Sequence, residues 1–174
     1  MHDVIEKARG IQVVVFDVDG VLTDGTLYLT DGGEEIKAFN SRDGHGMKML
    51  KASGVELAII TARESHCVKL RAKDLNISLL YQGEKNKLKV FESLVTKLGL
   101  DMSSCAYVGD DLIDLPVMTR CGLSICVPSA HALVKKHAHY VTSSEGGHGA
   151  IREICEMVML AQGTLDAQLE KYLT

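Results

Sequence analysis

Two aspartates two residues apart, Asp17-Val18-Asp19-Gly20, leave an apolar run that reads VVVF. Carboxylates at i and i+2 can turn into one cleft as a strand ends. One could attack an electrophile such as phosphorus while the other protonates a departing oxygen. Their mutual repulsion calls for a divalent cation. An ordinary Asp-Gly turn would account for the pair equally well. Three further clusters invite the same question. Thr61-Ala62-Arg63 offers a hydroxyl, backbone N–H groups at a helix start and a guanidinium, a set able to hold a phosphate, or simply an N-cap with an arginine in solvent. Gly83-Glu84-Lys85-Asn86-Lys87 could place a lysine against developing negative charge, or be a charged helix start. Gly109-Asp110-Asp111-Leu112-Ile113-Asp114 has the carboxylates a hard cation prefers. Asp110 suits a direct ligand, and Asp111 and Asp114 suit support from one bond further out. A helix cap explains one or two of these three, not comfortably all.

What decides between the readings is where the clusters fall. Apolar, β-branched runs at Ile11–Phe16, Val55–Ile60, Ser78–Tyr81, Cys105–Val108, Leu123–Cys126 and His139–Val141 read as strands. Helical patterns separate them near Gly46–Ala52, Glu64–Asp74, Asn86–Leu98, Leu112–Arg120, Ala130–Lys136 and Ala150–Leu160. This alternation predicts an α/β fold of three layers, a mostly parallel Rossmann-like sheet covered on both faces. Ligands of such sheets bind beyond the carboxyl ends of the strands. The four clusters follow four successive strands and so share one edge. The exception is residues 26–40, where Leu27, Leu29, Ile36 and Phe39 surround Asp31-Gly32-Gly33 as in a β-hairpin. The polar tail, residues 163–174, has no evident anchor.

Composition narrows the class. The 174 residues suit one domain, 1–174, with 46% hydrophobic and 24% charged residues. A net charge of -4 speaks against a nucleic-acid partner. No apolar run is long enough for a membrane span, and the charged start MHDVIEKARG has no signal-peptide core, so a cytoplasmic address is expected. The scattered cysteines Cys67, Cys105, Cys121, Cys126 and Cys155 suit reduced, buried thiols. His137 and His139 lack the further ligands of a zinc site. No G-x-G-x-x-G follows the first strand, against dinucleotide binding.

DVDGVLTDG, IITAR, Lys87 within GEKNK, and GDDLID together resemble the four ordered motifs of the haloacid dehalogenase superfamily. FNSRDGHGMK, YQGEKNK, YVGDDLIDLPVM, GGHGAIRE and LAQG are similar, over nearly the whole chain, to the 3-deoxy-D-manno-octulosonate 8-phosphate phosphatases. The resemblance implies a magnesium-dependent phosphatase of lipopolysaccharide precursor synthesis, working through an aspartyl-phosphate. Asp17 would be nucleophile and Mg2+ ligand; Asp19 would be general acid/base and ligate through its carbonyl. Thr61 and Lys87 would hold the phosphoryl group, and Asp110 would complete the metal site. Asn40, Ser41, Arg42, Asp43, Gly44, Lys48, Arg63 and Arg71 match positions that contact the substrate, as do Asp19 and Lys87. The resemblance further implies a fold with no cap domain, a homotetramer built through the hairpins, and a C-terminal segment that reaches a neighbour's site. His148 stands where the family more often carries arginine, and from a neighbouring subunit it would be a pH-dependent anion contact or part of a glycine-rich turn. A nine-carbon sialic-acid-type sugar phosphate would suit the same chemistry. A non-catalytic assembly module would have no use for an acid two residues from a nucleophile.

Overall fold

The computed structural model describes residues 2–173. Helix α1 (His2–Arg9) leads into β1 (Val13–Phe16), the hairpin β2 (Tyr28–Leu29) and β3 (Glu35–Ile36), and α2 (Ser41–Ala52). Then come β4 (Glu56–Ile60), α3 (His66–Asp74), β5 (Leu79–Tyr81), α4 (Lys87–Leu98), β6 (Cys105–Val108) and α5 (Leu115–Met118). The chain ends with β7 (Leu123–Cys126), α6 (Ala132–His137), β8 (Tyr140–Val141), α7 (Ala150–Ala161) and α8 (Leu165–Leu169). The main sheet has six strands in the order β5-β4-β1-β6-β7-β8, and every pairing in it is parallel.

Alternate residues of the central strands feed two separate cores, as period-two geometry requires. Val14, Phe16, Leu57, Ile59, Ala106 and Val108 pack beneath α1, α2, α3 and α7. Val13, Val15, Ala58, Ile60, Cys105 and Tyr107 pack beneath α4, α5 and α6. Tyr107 meets Phe91 edge-to-face, with centroids 6.2 Å apart and planes at 90°. All five cysteines are unpaired, as expected, and all but Cys67 are buried.

Some boundaries differ from expectation for identifiable reasons. Helix α2 begins at Ser41, five residues before the predicted start, because Asn40 Oδ1 caps it by accepting from the N–H groups of Arg42 and Asp43 at 2.8 and 3.2 Å. The helix expected over Leu112–Arg120 is a 3₁₀ turn, Leu112–Asp114, followed by the four residues of α5. Pro116 sits in the first turn of α5, where its missing N–H costs nothing. The N-terminal segment, given no element from sequence, is α1. The tail, without an anchor in sequence, forms α8 and a 3₁₀ turn at Glu170–Tyr172, with Gln168 buried. Its helical pattern is only one turn deep. Between β1 and β4 stand only the hairpin and α2, so the described residues include no cap domain.

Candidate active site

At the carboxyl edge of the sheet, Asp17, Asp19, Thr61, Arg63, Asp110 and Asp111 line a cleft of about 270 Å³. They come in pairs from three turns, those after β1, β4 and β6. Asp17 follows β1 directly and its N–H donates to Val108 O of β6 at 3.0 Å, which holds its backbone to the neighbouring strand. The chain then turns sharply through Gly20, whose φ of +88° suits glycine. A Cβ at Gly20 would stand 2.1 Å from Asp110 Oδ2, so the bare backbone is what admits the Asp110 carboxylate. Thr61 follows β4; it is buried, and its Oγ1 accepts from Arg63 N–H at 3.4 Å.

Lys87 is the first residue of α4, which starts there because Asn86 Oδ1 caps Lys89 N–H at 3.1 Å. The side chain runs inward and is 1% exposed. Its ammonium lies 2.8 Å from Asp17 Oδ1 and donates to Asp114 Oδ1 at 2.7 Å. A buried ammonium is costly unless paired. Burial pulls the Lys87 pKa down, but the carboxylates of Asp17 and Asp114 outweigh this and raise it.

Asp114 is fully buried and its oxygens are fully engaged. Oδ1 accepts from Lys87 and from Tyr107 Oη at 2.8 Å, and Oδ2 accepts from the N–H groups of Asp110 and Asp111 at 3.0 and 3.1 Å. Oxygens of Asp17, Asp110 and Asp114 all lie within 4.8 Å of one another. With Asp114 saturated by donors, Asp17 and Asp110 keep lone pairs for a metal ion. Their charges are crowded. Burial, then the Asp114 charge, push Asp17 up to about 6 against the pull of Lys87. Burial, then Asp17, Asp114 and Asp111, push Asp110 up to about 7. A hard divalent cation fits this oxygen donor set and relieves the repulsion.

Asp19 faces the cleft beside a residue the sequence reading missed. Lys37, just after β3, pairs with Asp19 Oδ1 and lies 3.2 Å from Glu35 Oε1. Arg63 bridges the same carboxylates, 3.8 Å from Asp19 Oδ2 and 3.1 Å from Glu35 Oε1. Glu35 and Lys37 stand two apart in an extended segment, so they share a face; that alternation was the available signal.

Other anticipated residues lie outside this cleft. Asn40, Asp43, Gly44 and Arg71 line a separate crevice with Phe39 and Leu75. Asp43 is buried and accepts from the N–H groups of Arg152 and Gly149 at 2.9 and 3.3 Å, capping α7. Arg71 donates to Asn40 O at 3.0 Å and Asp74 Oδ2 at 2.8 Å. Lys48 also reaches Asp74, at 3.4 Å, and Ser41 and Arg42 are exposed on the first turn of α2. His148 is exposed; its Nδ1 is 2.9 Å from Gly146 O, and it lines a second cleft with Asp24, Ser129 and Glu145. Among the described residues no helix is long and apolar enough to cross a membrane.

Residues 79–154 match the family model for haloacid dehalogenase-like hydrolases. The chain is 51% identical to the 3-deoxy-D-manno-octulosonate 8-phosphate phosphatase of Escherichia coli (strain K12), over 94% of this chain and 87% of that one. It superposes with a TM-score of 0.97 at 42% identity, over 99% of each chain, on the Moraxella catarrhalis enzyme of that name, solved with magnesium, phosphate and the sugar KDO. The cobalt-bound Haemophilus influenzae enzyme gives 0.92 at 38% identity, over 97% of this chain and 99% of that one. Those likenesses extend over almost all of a chain whose cleft holds an acidic pair, a buried lysine and a carboxylate cluster fit for a metal ion. It belongs to the haloacid dehalogenase-like hydrolases and is a phosphatase of that family.

Proposed function

We propose that this phosphatase removes the phosphate of 3-deoxy-D-manno-octulosonate 8-phosphate, in lipopolysaccharide precursor synthesis in the cytoplasm, with Mg2+ as cofactor. The observation that carries the reading is the buried Asp17 carboxylate held by Lys87 opposite Asp110, with Asp19 at the cleft mouth. The substrate is that of the relatives, to which the chain is half identical over nearly its full length. Asp17 and Asp110, with the Asp19 backbone carbonyl, would hold the ion, which when bound supplies charge stabilisation to the phosphoryl oxygens.

Asp17 forms the new O–P bond as the sugar O–P bond breaks, and the Asp19 carboxyl gives its proton to the leaving alkoxide. Asp19, now ionised, takes a proton from water, whose oxygen attacks phosphorus and releases phosphate from Asp17. Dividing the reaction this way is nucleophilic catalysis with one group serving as acid and then base. Lys87 and Thr61 hold the transferring group. Arg63, half exposed, would take the sugar carboxylate, which guanidinium matches in a bidentate fork. Asn40–Gly44, Lys48 and Arg71 would bound the sugar site in the assembled enzyme, with His148 offered from a neighbouring copy. That enzyme is a homotetramer. The exposed hairpin residues Leu27, Tyr28, Leu29 and Ile36 supply its apolar contact.

The test is turnover of a panel of eight- and nine-carbon sugar-acid phosphates, with Mg2+ and with chelator, by wild type and Asp17→Asn. The reading expects the eight-carbon substrate to lead, chelation to abolish turnover and Asp17→Asn to be inactive. Preference for a nine-carbon compound would reassign the substrate; an active Asp17→Asn would end the covalent mechanism.

A further inference from the structure

We propose that Lys37 is a positioning residue for leaving-group protonation, fixing the Asp19 carboxylate by one oxygen so that the other faces the departing group. The inference rests on Asp19 being the acid of the proposed reaction. Lys37 arrives from the return leg of the hairpin, far from the strand-end turns that carry the other site residues. Its side chain is 1% exposed, and its ammonium lies between Asp19 Oδ1 and Glu35 Oε1. Lys37 is not among the cleft-lining residues, and of the two carboxylates it holds only that of Asp19 lines the cleft, so its direct route to the reacting group is through Asp19. A substrate without a sugar carboxylate takes Arg63 and Glu35 out of the comparison.

The need for such a tie follows from the neighbouring aspartates. Asp17 is buried and clasped by Lys87, whereas the Asp19 side chain is 23% exposed and has two free torsions. A general acid must sit within hydrogen-bond reach of the atom it protonates. Arg63 does not provide the anchor: it is 3.8 Å from Asp19 Oδ2 and 47% exposed. Lys37 is buried, closer, and braced on its far side by Glu35. The result is a carboxylate with Oδ1 fixed and Oδ2 on the side of the cleft-lining Arg63, 3.8 Å away.

The test reads leaving-group dependence. Wild type, Lys37→Met and Asp19→Asn are compared in Mg2+ on substituted phenyl phosphates, from strongly acidic nitrophenols to phenol, and on an alkyl phosphate. The parameter is kcat/KM, which excludes later hydrolysis of the phosphoenzyme. Protonation matters little to an acidic phenol and greatly to an alkoxide. Lys37→Met should therefore lose about 3-fold or less at the acidic end and about 10²-fold on the alkyl phosphate, a share of the usual general-acid contribution. In the Asp19→Asn background the same substitution should cost nothing further, because its effect passes through Asp19. Lys37→Arg should restore most of the slope. A uniform loss across the series, or additive losses in the double variant, would mean that Lys37 only holds the hairpin. Lys37→Leu, shorter and equally without a donor, carries the same expectation if Lys37→Met does not fold; an unaltered slope there overturns the proposal. Wild type without metal-dependent turnover would instead defeat the functional reading on which this stands.

Discussion

Removing the metal should make the protein's stability depend on pH in an unusual direction. Asp17 and Asp110, ordinarily near 3.8, are pushed up to about 6 and about 7 in the folded chain. Their folded pKa values lie above the unfolded ones, so the folded state binds these protons more tightly. Metal-free stability should fall as pH rises from about 4 to about 7 and level off above. At about 1.4 kcal/mol per unit, the part of this window between pH 7 and 5.5 comes to about 2.7 kcal/mol at most. The two charges share one site and water reaches Asp110, so about 1.5 kcal/mol is expected, or about 3–6 °C in Tm for a chain of this size. Thermal unfolding in chelator at pH 5.5 to 8.5 measures it. His139 works the other way: burial lowers its pKa from 6.5, so its contribution is lost as pH falls below that value. Subtracting the same curve for Asp110→Asn isolates the cluster. Saturating Mg2+ should reverse the trend, because it binds the ionised carboxylates. Parallel wild-type and Asp110→Asn curves in chelator would refute the crowding argument.

Asp114→Asn must point an amide N–H at donors on one side or the other, leaving a buried pair unmatched. About 3 kcal/mol of stability should be lost, read by denaturant unfolding in chelator, and an unchanged midpoint would contradict the network. Gly20→Ala should displace Asp110 by the clash at 2.1 Å, weakening Mg2+ binding at least about 10-fold by calorimetric titration while the fold survives. Leu27→Asp with Leu29→Asp should yield a smaller species by light scattering, because an apolar interface tolerates unpaired charge badly. An unchanged mass would remove the hairpin from assembly.

Chemistry placed by strand ends was legible; chemistry placed by packing was not. Asp17, Thr61 and Asp110 each follow an apolar run, and a parallel sheet brings such positions together whatever its details. Lys87 could be nominated from the third cluster, but the two carboxylates clasping it come from the turns after β1 and β6, a proximity no local pattern records. The full engagement of Asp114 depends on Tyr107, which in sequence is one more apolar position of a buried strand. Lys37 was missed because the hairpin that delivers it pairs only two residues on each side, too short for a polar alternation to stand out. The early start of α2 escaped because the glycine-rich stretch Gly44-His45-Gly46 weakens helix propensity, and Asn40 capping overrides it.

The route from Phe91 through Tyr107, Asp114 and Lys87 to Asp17 has a bearing on how this protein can change. Substitution at an interior aromatic such as Phe91 would usually be scored as a stability loss that a second, compensating mutation could repair. Here it also frees the Tyr107 ring, and with it the hydroxyl that orients Asp114 and, through Lys87, Asp17. Compensation elsewhere would restore folding without restoring aim. Directed evolution for heat resistance should therefore find the α4–β6 face nearly closed to variation, and the opposite face, under α2 and α7, the more permissive one to redesign.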